Sequence, residues 1–90
     1  MVQFEDIRKG LIPKEKIVIG SKRTIKYLKL GKIEKVFISK NAPEDFKKDI
    51  IYYAKLGNVE VEELNYTNEE VGNLLKKPFK VSVISILKNG

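Results

Sequence analysis

KIVIGSKRTIKYLKLGKIEKVFIS, from Lys16 to Ser39, sets two short apolar runs on either side of a segment with a different rhythm. KIVI (Lys16 to Ile19) reads as a buried β-strand and KVFIS (Lys35 to Ser39) as a second. Between them Gly20 interrupts the strand and Ser21 is a good helix N-cap. Ile25 and Leu28, with Leu30 nearby, supply the apolar stripe of a helix that stops at Gly31. Strand, helix and strand joined this tightly form a right-handed crossover, which makes the two strands parallel. The loops that leave them, Gly20 to Lys22 and Lys40 to Pro43, then share one end of the sheet.

The flanking sequence extends this pattern. Phe4, Ile7, Leu11 and Ile12 recur at helical spacing, so a short amphipathic helix precedes the first strand and ends between Gly10 and Pro13. After the second strand, Pro43 suits a first helical turn and Glu44 and Asp45 complement the helix dipole. That helix runs to Gly57 on an apolar stripe of Phe46, Ile50, Ile51, Tyr53 and Ala54. Val59, Val61 and Leu64 alternate with Glu60, Glu62 and Glu63, the pattern of an edge strand with solvated carboxylates. Thr67 caps a short helix reaching about Leu75. FKVSVISIL (Phe79 to Leu87) is the most apolar strand and belongs at the sheet's centre. Strands alternating with helices through short connections imply an α/β sandwich with helices on both faces of the sheet.

Ninety residues suffice for one domain, so positions 1–90 are read as a single unit. The chain has neither cysteine nor histidine. Disulfides, thiolate metal sites, cysteine nucleophiles and histidine-based triads are therefore excluded, and a reducing cytoplasmic setting is expected. No cofactor and no catalytic residue is expected. The longest apolar runs fall far short of the roughly 20 residues that cross a bilayer, so no membrane partner is expected.

The net charge of +6 is unevenly distributed. Residues 1–40 carry eleven Lys/Arg and four Asp/Glu, residues 41–75 three and eight, and residues 76–90 four and none, giving +7, −5 and +4. Segregated charge of this kind suits a face that meets a polyanion. Lys22, Lys26 and Lys29 recur about one turn apart behind Gly20, where a helix N-terminus offers free backbone N–H groups to phosphate. The run has neither the P-loop nor the dinucleotide fingerprint. One reading is a small phosphate- or nucleotide-binding module built on that helix terminus; the other is an RNA-binding module. The third basic cluster, Lys76, Lys77 and Lys80, reaches the same end as the first two loops only if the last strand is antiparallel to the first two.

Three longer runs separate these readings: IGSKRTIKYLKLGK, VFISKNAPEDFKKDIIYYAKLGNVEV and EEVGNLLKKPFKVSVISILKNG. Together they resemble the archaeal and eukaryotic large-subunit ribosomal protein thirty of the e type, within the wider group of small proteins that bind kink-turn RNA. Its more specific pieces are G-x-K-x-T-x-K from Gly20, N-x-P from Asn41, the YYA of the third helix and K-x-F before the last strand. The resemblance covers about Phe4 to Gly90. It implies a three-layer α/β/α sandwich with a four-stranded mixed sheet, acting in the cytoplasmic ribosome as a non-catalytic constituent of the large subunit.

The resemblance also implies the site. Gly20, Ser21, Lys22, Thr24 and Lys26 match the positions laid against a kinked ribosomal RNA. Asn41 matches a polar residue that meets bases, with an Asx turn ahead of Pro43 as its structural alternative. Phe79, with Lys77, Lys80 and Val81, matches the loop that packs on an unstacked nucleotide. Other ribosomal components and the protein's own messenger RNA are further candidate partners, and a monomer is expected when free. Lys22-Arg23 stands where the guide-RNA branch of the group has Asn-Glu, which favours the ribosomal branch. Lys76 replaces a usual glycine, putting the shape of its loop in question, and Val71 replaces a usual leucine.

Overall fold

The computed structural model describes residues 3–88. Helix α1 spans Phe4–Arg8, and a single 3₁₀ turn at Lys14–Lys16 leads into strand β1, Ile17–Ile19. Then follow α2 (Ser21–Lys29), β2 (Ile33–Ile38), α3 (Glu44–Leu56), β3 (Glu60–Glu63), α4 (Asn68–Leu74) and β4 (Val83–Leu87). The sheet order is β1-β4-β2-β3. β4 is antiparallel to both β1 and β2, and β3 is parallel to β2. The first two strands are therefore parallel without being neighbours, because the last strand inserts between them.

Each face of this mixed sheet carries its own core. Phe4 and Ile7 of α1 and Val71 of α4 pack with Phe37, Ile84 and Ile86 on one side. On the other, Leu28 of α2 and Ile50 and Ala54 of α3 pack with Ile33, Val36, Ile38 and Val83. The result is the expected three-layer α/β/α sandwich. Burying a Val, Leu, Ile or Phe is worth about 1.5–3 kcal/mol, so these residues supply much of the driving force for folding.

Three local expectations change. The last strand begins at Val83, four positions after Phe79. Leu11 and Leu30, counted in apolar stripes, are exposed. The carboxylates of β3 remain solvated, 40–54% exposed, but are also paired: Glu60 and Glu62 lie 3.3 and 3.2 Å from the ammonium of Lys35, and Glu63 lies 2.9 Å from that of Lys47. The hydrogen bond to Glu63 raises the pKa of Lys47 above its ordinary value. The Lys35 side chain is only 6% exposed and sits 5.0 Å from the Phe37 ring centroid. A sheet edge that read as a row of charges is thus tied to β2 by a buried cation.

Among the described residues, all four α-helices end in the same hydrogen-bonded motif. The residue after the C-cap adopts a left-handed backbone, and its N–H and the next one bond back to carbonyls of the last helical turn. At α4 these bonds are Lys76 N–H to Asn73 O (3.0 Å) and Lys77 N–H to Gly72 O (2.9 Å). The left-handed positions are Gly10, Gly31, Asn58 and Lys76.

Candidate nucleic-acid interface

The antiparallel insertion of β4 brings the start of that strand to the ends of β1 and β2. Gly20 N–H donates to Val83 O at 3.0 Å, and Ser39 N–H to Ser82 O at 2.8 Å. The loop after β1, the loop after β2 and the segment before β4 are therefore side by side at one end of the sheet. Gly20 itself has φ 118° and ψ 149°, a backbone state in which a side chain is strained. An added Cβ would meet no protein atom within 4 Å, so the chain stays open to a ligand at this point.

α2 begins here without a capping side chain. Its first N–H groups are available to an anion, an arrangement that favours phosphate. Lys22, Arg23 and Lys26 are exposed along the helix, and Ser21 is half-buried at its start. Thr24 departs from expectation. Its side chain is fully buried, and its hydroxyl shares a hydrogen bond of 2.9 Å with Ser85 on β4. The period of α2 turns this position inward between Gly20 and Leu28, so the Thr24 side chain joins the helix to the sheet. Thr24→Val is expected to leave the Ser85 hydroxyl unsatisfied and destabilise the fold by about 1–3 kcal/mol. Adding Ser85→Ala should recover most of the loss. Denaturant titration of the two variants checks this, and a double variant no more stable than the single would refute it.

Asn41 is exposed but not loose. Its side-chain oxygen accepts the backbone N–H of Asn68 at 2.7 Å, and its amide donates to the Asn68 side chain at 3.3 Å. Asn68 in turn donates to Ser82 Oγ at 3.3 Å and accepts Val81 N–H through its backbone carbonyl at 3.0 Å. Asn41 therefore bridges to α4 instead of forming the alternative Asx turn. Asn68 went unrecognised in the sequence. Its only signal there is its place directly after the Thr67 cap, and its partners lie 27 and 14 positions away. The α4 start is held by a reciprocal cap between Thr67 and Glu70. The Thr67 backbone N–H, and then its hydroxyl, hold the Glu70 carboxyl below the ordinary carboxylate pKa.

The segment before β4 crosses over α4 at Gly72. A Cβ at Gly72 would overlap the Phe79 carbonyl oxygen and approach the Phe79 carbonyl carbon to 3.2 Å. Phe79 itself is left 54% exposed. The ring borders a shallow pocket of about 270 Å³ with Lys77, Lys80, Glu69 and Asn73. Val81, grouped with these residues from the sequence, is buried in the α1/α4 core. Alternation along the chain sends Val81 inward when Lys80 faces solvent, so it supports the loop from below. Among the described residues, Lys22, Lys26, Lys76, Lys77 and Lys80 form no ion pair. Their charge is available to an outside partner.

The match to known families fits this architecture. The model of the Ribosomal protein L7Ae/L30e/S12e/Gadd45 family matches residues 5–90. The chain belongs to this family. Among its relatives, the large ribosomal subunit protein eL30 of Saccharolobus solfataricus is 42% identical over 89 residues, covering 99% of this chain and 82% of that protein. The eL30 protein of Methanothermobacter thermautotrophicus is also 42% identical, covering 94% of this chain and 90% of that one. Among solved structures, the Giardia lamblia 15.5kD RNA binding protein superposes with a TM-score of 0.76 at 18% identity, over 96% of this chain and 72% of that one. A protein of unknown function from Bacillus halodurans C gives 0.75 at 17%, over 93% and 79%. These two likenesses bear on the fold alone; the family rests on the sequence matches.

Proposed function

We propose that this chain is a non-catalytic constituent of the large ribosomal subunit that seats a kink-turn in ribosomal RNA. The observation that carries the reading is the assembly, at one end of the sheet, of three sequence-distant segments bearing complementary chemistry. Gly20 and the uncapped start of α2, with Lys22 and Lys26, offer N–H groups and cations to closely spaced phosphates. Asn41, held by Asn68, presents an oriented polar edge. Phe79, with Lys77 and Lys80, presents a flat ring beside cations, which suits an unstacked base. Thr24 and Val81 support this surface from the core. The eL30 identity of the relatives supports the ribosomal assignment, and the family match does not favour the alternative of a small phosphate- or nucleotide-binding module at the α2 terminus.

Titration with a kink-turn RNA against a linear duplex of equal length tests the reading. Preferential binding of the kinked RNA is expected, and equal weak affinity for both would overturn it. Neutralising about six phosphates should give a log–log salt slope of roughly −4 to −5. Lys26→Ala is expected to make that slope shallower by about one while leaving the preference for kinked over linear RNA intact. An unchanged slope would remove Lys26 from the interface.

A further inference from the structure

The four helix ends point to a contact residue that the site reading leaves out. Each ends with a left-handed residue, and at three of them the chemistry fits the geometry: Gly10 and Gly31 have no side chain to clash, and Asn58 is among the side chains that tolerate this region. The fourth, after α4, is Lys76 with φ 59°. A long side chain is held there in a backbone state that disfavours it, and the same helix end is the one that launches the Lys77–Lys80 segment. Lys76 is exposed and makes no ion pair among the described residues. Backbone strain retained next to a binding surface is a reason to look for a role for the side chain. The rival account is local, since a cation near a helix C-terminus interacts favourably with the last carbonyls.

We infer that Lys76 is an additional phosphate contact of the RNA interface, its side chain launched by the left-handed turn that leads into the Lys77–Lys80 segment. The inference rests on the RNA-binding reading above and adds a residue to it. The turn's two backbone bonds, to Asn73 and Gly72, fix where the side chain leaves the surface, and its flexible stem lets the ammonium reach a phosphate from there.

Lys76→Gly and Lys76→Asn both suit the left-handed backbone and both remove the charge. Each should retain or raise the melting temperature, because strain is relieved and the turn is kept. Each should also bind kink-turn RNA more weakly at low salt, with a salt slope shallower by about 0.7–0.9. The wild-type advantage should accordingly shrink about threefold between 50 and 200 mM salt. Lys76→Arg should keep the wild-type slope. Unchanged affinity and slope in the Gly and Asn variants, in a wild-type protein that still prefers kinked over linear RNA, would overturn the inference alone. So would a lowered melting temperature with unchanged binding, which is the outcome of the local account. Loss of the wild-type preference for kinked RNA would instead strike the underlying function.

Discussion

Phe79→Ala is expected to weaken kink-turn binding by about 1–3 kcal/mol, roughly 5- to 150-fold, with the salt slope nearly unchanged. Phe79 is 54% exposed and lines a shallow pocket together with Lys77 and Lys80. A half-exposed aromatic adds little to the core, so its removal should leave the melting temperature close to that of the wild type. Stacking on a base is uncharged and sequence-tolerant, so the loss should appear as an offset between two parallel log–log salt plots. A shallower slope would mean that the ring acts by placing the neighbouring lysines. Unchanged affinity would remove Phe79 from the interface. Isothermal titration at three salt concentrations distinguishes these outcomes.

Gly72→Ala should be the most damaging conservative change near the site. An ordinary Gly→Ala in a helix gains up to about 1 kcal/mol from propensity. At Gly72 the new methyl group would overlap the Phe79 carbonyl oxygen and lie 3.5 Å from Lys80 Cα. Those atoms belong to the backbone, so no rotamer change relieves the overlap, and either α4 or the Lys77–Lys80 segment must move. Overpacking of this kind costs about 1–3 kcal/mol. The variant should therefore be less stable than the wild type by denaturant titration and should bind kink-turn RNA less tightly, because Phe79 is displaced. A variant at least as stable as the wild type would show that the segment has room to retreat. Combined with Phe79→Ala, the binding losses should fall short of additive, since both act through one ring.

Much of the architecture was legible in the sequence because its determinants are local. The apolar runs of β1, β2 and β4, the Thr67 cap and the acidic first turn of α3 depend on residues within about one turn of each other. The central place of β4 followed from its unbroken apolarity. The shared end of the three loops then followed from connection rules and one conditional, the direction of β4, which the strand pairing satisfies. Segregated charge pointed to basic segments suited to a polyanion, although within the first of them Arg8 and Lys35 are ion-paired.

What only the tertiary structure decided are contacts between residues far apart in the chain. Thr24 and Val81 sit within matching motifs, yet one bonds a hydroxyl 61 positions away and the other is buried beneath the loop it was assigned to. Asn68 and Gly72 read as ordinary helix residues until Asn41 and the Phe79 backbone arrive against them. Lys35 read only as the first residue of the second strand, and the β3 carboxylates only as solvated charge, until parallel pairing set Glu60 and Glu62 beside the Lys35 ammonium. Spacing along a chain indicates which face a side chain occupies. What stands opposite that face is set by close packing of segments that meet only once the chain has folded, and that packing separates side chains left exposed at the proposed interface from those buried beneath it.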